Sequence, residues 1–211
     1  MTWNGEIYDR DMLMVVDVQN DFCAGGALAV PNADQVIPVV NRIAPLFPHV
    51  MLTQDWHPGS HMSFASNHVG TRPFQTIEVA YGPQMLWPDH CIQGSQGAAF
   101  RKGLDVRGVE LILRKGFRPE VDSYSAFVEN DHTTPTGLAG YLRERGMRRI
   151  FLAGLAFDYC VRYSSEDARM RGFDVVVIED ACRSIAAQSR AETITSLSHQ
   201  QIPLIVSDDL A

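Results

Sequence analysis

What most constrains the fold of this chain is an alternation: short aliphatic or β-branched runs separated by longer amphipathic segments. The runs are Met12 to Val18, Val50 to Thr53, Leu111 to Leu113, Ile150 to Ala153, Val175 to Ile178 and Leu204 to Val206. Continuous apolar runs of this kind belong to strands buried on both faces, as in a parallel sheet covered by helices. Between them, Ala33 to Phe47, Thr136 to Arg145, Val161 to Met170 and Ser189 to Gln200 have helical spacing, and Gly146 and Gly172 follow two of these segments as stops. The pattern predicts an α/β fold: a doubly wound, mostly parallel six-stranded, Rossmann-like sheet with helices on both faces, in a single domain over residues 1–211. A loop-rich insertion from Trp56 to Gly108, after the second strand, breaks the rhythm, and insertions of that length are usually functional.

Charge and composition narrow the function. Eighteen Lys and Arg against 25 Asp and Glu give a net charge of -7, the wrong sign for a partner made of phosphates, so neither nucleic acid nor an anionic membrane is expected. Met1 to Asp11 carries Glu6, Asp9 and Asp11 and lacks the apolar core of a secretory signal, and no run is long enough to span a bilayer. A cytoplasmic protein is expected. Cys23, Cys91, Cys160 and Cys182 form no Cys-x-x-Cys pair, which argues against a thiolate zinc knuckle or a disulfide framework. Homo-oligomerisation is left open.

In open parallel sheets ligands bind beyond the carboxyl ends of the strands, where strand order reverses. The first run holds Asp17, a carboxylate in an apolar stretch that is either a buried acceptor of backbone amides or a general base raised by burial. The second leads into Asp55 and His57, an Asp-x-His pair whose side chains share a direction on extended backbone. With His90 from the insertion they make a ligand set suited to zinc, manganese or iron(II). His61 is a fourth ligand, an orienting partner or neither. The third run ends at Lys115, a snorkelling lysine or the partner of Asp17. After the fourth, Cys160 stands at a helix start, where the macrodipole favours a thiolate; the bland alternative is a small buried hydrophobe. The other three cysteines lack such a setting. A carboxylate, a lysine and a thiol at three convergent strand ends point to nucleophilic catalysis.

The stretches DVQNDF (Asp17 to Phe22), TQDWHP (Thr53 to Pro58), HMSF (His61 to Phe64), WPDHC (Trp87 to Cys91), RKG (Arg114 to Gly116), YSAF (Tyr124 to Phe127) and the segment Gly154 to Arg162 resemble, in this order and over essentially the whole chain, the nicotinamidase family within the isochorismatase-like cysteine hydrolases. The resemblance implies a catalytic triad of Asp17, Lys115 and Cys160, and an oxyanion hole from the backbone N–H groups of Ala156 and Cys160 after a cis peptide between Leu155 and Ala156. It implies one divalent metal on Asp55, His57 and His90, with zinc favoured over iron or manganese, binding the pyridine nitrogen of a ring walled by Phe22, Trp87 and Tyr124. The implied reaction is hydrolysis of nicotinamide to nicotinic acid and ammonia in NAD salvage, with pyrazinamide accepted as well. Three rivals are a metal-free amide hydrolase of the same superfamily, a metal-hydroxide hydrolase in which Cys160 is incidental, and a nucleotide-binding module. The last is disfavoured because Gly25-Gly26 is no Gly-x-Gly-x-x-Gly turn.

Overall fold

The structure is a computed structural model that describes residues 5–210; the first four residues of the N-terminal stretch and Ala211 lie outside the described residues. In chain order the elements are β1 (Asp11–Val16), α1 (Val36–Ile43), β2 (His49–Asp55), β3 (Thr76–Val79), β4 (Gly82–Met85), β5 (Leu111–Lys115), α2 (Leu138–Glu144), β6 (Arg149–Leu155), α3 (Arg162–Met170), β7 (Asp174–Arg183), α4 (Ala187–His199) and β8 (Leu204–Ile205). Six strands make one sheet in the order β5-β2-β1-β6-β7-β8, with every neighbouring pair parallel.

Strand β1 shows why the apolar runs are continuous. All of its residues are buried, and successive side chains leave a strand on opposite faces. Leu13 and Val15 join a core with Val36, Ile37, Val40 and Ile43 of α1. Met12, Met14 and Val16 join a second core with Leu138 and Leu142 of α2, Ala168 of α3 and Leu197 of α4. Each face is therefore covered by helix, and neither can carry polar side chains cheaply.

Element boundaries differ from the sequence pattern for local reasons. The segment Ala33 to Phe47 is α-helical only over Val36–Ile43, with a single 3-10 turn on either side. Pro38 fits in the first turn of α1, whereas Pro45 cannot continue the ladder and disfavours helix before it. Strand β1 stops at Val16 because Asp17 turns into the left-handed region at φ 47°. The insertion contains an antiparallel hairpin, β3 with β4, that the sequence pattern does not reveal, since Gly82 and Pro83 are poor strand formers.

Strand order reverses between β1 and β6, so the carboxyl ends of these two strands frame the switch point. They approach closely there. A Cβ on Gly154, which has φ +119°, would lie 2.2 Å from the carbonyl oxygen of Val16. Only glycine allows β6 to run this near β1 at the site.

Candidate active site

The structure brings Asp17, Lys115 and Cys160 into one buried cluster beyond the strand ends. Asp17 is anchored by Thr53 of the neighbouring strand: its N–H donates to Thr53 Oγ1 at 3.1 Å, and the threonine hydroxyl donates back to Asp17 Oδ1 at 2.6 Å. Lys115 closes β5 with its side chain wholly buried. Its Nζ lies 2.9 Å from Asp17 Oδ2, 2.5 Å from Asp55 Oδ1 and 3.4 Å from Cys160 Sγ, and donates to Ser123 O at 2.8 Å. Cys160 sits in a single π-helical turn, Phe157–Val161, that joins β6 to α3. Side-chain ligand atoms of Asp17, Asp55 and Cys160 all fall within 4.8 Å of one another.

Burial dominates the electrostatics of this cluster. It raises the Asp17 carboxyl above its ordinary range, with Lys115 pulling the other way. With Oδ1 taken by Thr53, it is Asp17 Oδ2 that faces the ammonium. Burial also pushes the Cys160 thiol well above its usual value, outweighing Lys115. Cys160 does stand at a helix start, in the turn that runs straight into α3, but burial of the sulfur works against the thiolate that a dipole effect of about 1 kcal/mol would favour. Burial works against the charge on Lys115 too, but Asp17 and then Asp55 hold it an ammonium.

Beside the cluster lie Asp55, which ends β2, His57 two residues on, and His90 from the insertion. His57 Nε2 is 3.5 Å and His90 Nε2 3.9 Å from Asp55 Oδ2. His57 Nδ1 donates to Gly116 O and His90 Nδ1 to Pro88 O, each at 2.8 Å. A carbonyl only accepts, so each ring carries a proton on Nδ1 and turns its Nε2 toward one carboxylate. Burial first, and His57 beside it, bring His90 down to about 4, so its imidazole is neutral at physiological pH. Two oriented imidazoles and a carboxylate fit a divalent metal ion. The turn after β5 makes room for one of them: a Cβ on Gly116, at φ +68°, would stand 2.3 Å from His57 Cε1. His61 is buried with its ring 4.2 Å from that of His57, but its Nδ1 meets Ser63 Oγ at 2.7 Å and its Nε2 donates to Val121 O at 3.2 Å, so as placed it braces His57 rather than offering a lone pair to the trio.

Cys160, Ala156, Asp55 and His90 open onto one cavity whose walls include Phe22, Trp87 and Tyr124. Leu28, Asp122, Tyr159 and Ile185 line it as well and are not singled out by the sequence. Tyr159 meets Trp87 and Tyr124 nearly edge-on, with ring centroids 5.0 and 5.4 Å away, and Trp87 Nε1 donates to the Tyr124 hydroxyl at 3.1 Å. Ile185 is held by Asp158, whose carboxylate accepts from the N–H groups of Ile185 and Ala186 at 3.0 and 3.1 Å. An aspartate between two aromatics just before the thiol is the signal that marks this anchor. The peptide between Leu155 and Ala156 is cis. Cys23, Cys91 and Cys182 are buried, with thiols pushed up by burial. A larger cleft, lined by Arg10, Arg148, Arg149 and Asp174, lies at the amino ends of the strands, opposite this site.

A wholly parallel, doubly wound sheet gathers a thiol, a carboxylate and an ammonium at its switch point, with a ligand trio beside them. The isochorismatase domain matches residues 11–209, and the chain belongs to that family. A nicotinamidase of Acinetobacter baylyi is 53% identical over 173 residues, or 82% of this chain and 81% of its own. A solved nicotinamidase and pyrazinamidase of Acinetobacter baumannii superposes with a TM-score of 0.96 at 49% identity, covering 98% of this chain and 100% of that one. A pyrazinamidase of Pyrococcus horikoshii, solved in complex with zinc, gives a TM-score of 0.76 at 31% identity over 93% and 99% of the two chains.

Proposed function

We propose that this protein is an amidohydrolase that converts nicotinamide to nicotinic acid and ammonia, and deamidates pyrazinamide as well, through a triad of Cys160, Asp17 and Lys115. The observation that carries the reading is the contact of a buried lysine with both a carboxylate and a thiol, 2.9 Å and 3.4 Å away, where the thiol lines an aromatic-walled cavity. The names of the relatives supply the substrate class.

In the proposed sequence Asp17 takes the Cys160 proton as the sulfur attacks the carboxamide carbon, which matches a neutral thiol next to a carboxyl with a raised affinity for protons. Backbone N–H groups of Ala156 and Cys160 would receive the oxyanion. The carbon–nitrogen bond then breaks, Asp17 returns the proton to the departing nitrogen, and ammonia leaves a thioester on Cys160. Water attacks that thioester with Asp17 again as base. Nicotinic acid departs and the proton ends on the sulfur. Lys115 keeps Asp17 and the transient thiolate charged. Phe22, Trp87 and Tyr124 hold the ring. Asp55, His57 and His90 would carry the divalent ion, zinc favoured over iron or manganese, which when bound supplies an electrophile for the ring nitrogen and so fixes which way the amide points. Such an activity places the protein in NAD salvage.

Ammonia release from nicotinamide, measured on one preparation before and after chelation and before and after thiol alkylation, tests the reading. Loss both ways is expected. Activity that survives alkylation but not chelation would instead support a metal-hydroxide hydrolase, and activity that survives chelation a metal-free thiol amidase.

A further inference from the structure

The two walls of the cavity come from separate segments. Strand β4 runs on through Leu86 to Trp87 and His90, and the facing segment, Asp122 to Tyr124, follows β5. Among the described residues, no backbone hydrogen bond joins residues 84–90 to residues 121–125; side chains alone do so. Gln84 is at the centre of them. It is 1% exposed, the single buried residue of the two hairpin strands, and it does not line the cavity. Its Nε2 donates to Asp122 Oδ2 at 2.8 Å and to Met85 O at 2.7 Å, and lies 3.1 Å from the Tyr124 hydroxyl. Its Oε1 accepts from the Tyr81 hydroxyl at 2.9 Å and from Asn130 Nδ2 at 3.3 Å. These donors fix the amide: turned over, it would set its oxygen against the Asp122 carboxylate.

The groups that Gln84 holds face the proposed substrate. Asp122 is 2% exposed and lines the cavity with Asp55 and His90; its other oxygen accepts from the N–H of Ser123, the residue whose carbonyl accepts a hydrogen bond from Lys115. The Tyr124 hydroxyl receives the N–H of Trp87 from the opposite wall and lies 3.1 Å from Gln84 Nε2. One buried amide thus ties the Trp87 wall, the Tyr124 wall and an acid beside the ligand trio. We infer that Gln84 is a positioning residue that fixes the spacing of the two aromatic walls and the aim of Asp122, and thereby sets how tightly the ring is held. The inference rests on the function proposed above.

The test compares the metal-loaded parent with Gln84→Met, which keeps the length of the side chain and removes every polar contact. KM for nicotinamide should rise about tenfold, as befits loss of a hydrogen bond to a buried charge, with kcat per folded, metal-loaded molecule within about threefold of the parent. A merely structural role would lower the folded fraction, hence apparent kcat, and leave KM alone. A KM rise below about threefold would overturn the inference whatever kcat does. If Gln84→Met does not fold, Tyr81→Phe removes one donor to Oε1 and takes its place under the same criterion. If the parent leaves nicotinamide untouched, the proposed function fails separately. The clamp is then judged by iodoacetamide alkylation of Cys160, followed by peptide mass: a change of about threefold or more in Gln84→Met supports it, and a smaller one overturns it.

Discussion

Lys115 is the residue on which two pieces of chemistry meet. Its ammonium touches Asp17 and Cys160 of the proposed triad and also Asp55 of the ligand trio. Replacing it by Met leaves two buried carboxylates facing each other without a counter-charge. The expected cost is about 3–5 kcal/mol in urea unfolding, the usual penalty for breaking a buried pair from one side. Ammonia release should fall by about a thousandfold or more, and bound metal should fall as well because Asp55 loses the partner that aims it. Full metal content in a dead Lys115→Met protein would separate the two clusters again. Part of this was legible beforehand: Asp17 and Lys115 stand out because their charges are expensive at the ends of apolar strands, and Cys160 because it opens a helix after a third. The bridge to Asp55 was not. It depends on the register that sets Asp55 against Lys115 across β2 and β5, and strands apolar on both faces carry no mark of register. Gln84 was illegible for a simpler reason, since nothing beside it in sequence distinguishes a clamp from ordinary core, whereas Tyr159 and the Asp158 anchor of Ile185 are marked only by standing next to Cys160.

Between elements, close approach at two glycines sets the site. Gly154→Ala would drive a Cβ into the Val16 carbonyl at a φ that disfavours any side chain. A loss of about 2 kcal/mol or more in stability is expected, with a fall in kcat because β1 and β6 carry Asp17 and Cys160 at their ends. Gly116→Ala acts on the other half of the site: its Cβ displaces His57, so equilibrium dialysis should show weaker zinc binding while Cys160 still reacts with iodoacetamide. An unchanged zinc affinity would mean that His57 is not held by this turn. Strand and helix alternation was readable from hydrophobic period, and so was the helix order. The β3–β4 hairpin was hidden, because its short strands include Gly82 and Pro83 and present mainly exposed or half-buried residues. The segment after Ile43 kept an amphipathic pattern although Pro45 ends the α-helix.

At the scale of the molecule, two apolar cores share one sheet, each packed on alternate residues of the same strands. We propose that residues 1–211 unfold as one cooperative unit, seen as coincident transitions by tryptophan fluorescence and circular dichroism; separated transitions would show two units. A bound metal should add to that stability by mass action, so zinc restored to chelated protein should raise the melting temperature, and Asp55→Ala should abolish the rise. None of the described helices is long and apolar enough to cross a membrane. The most direct measurement is ammonia release from nicotinamide by Cys160→Ala beside the parent, with bound metal assayed in both. The variant should keep its metal and lose about a thousandfold or more of the activity. A metal-loaded variant that releases ammonia at the parent's rate would contradict the assignment of the sulfur as nucleophile.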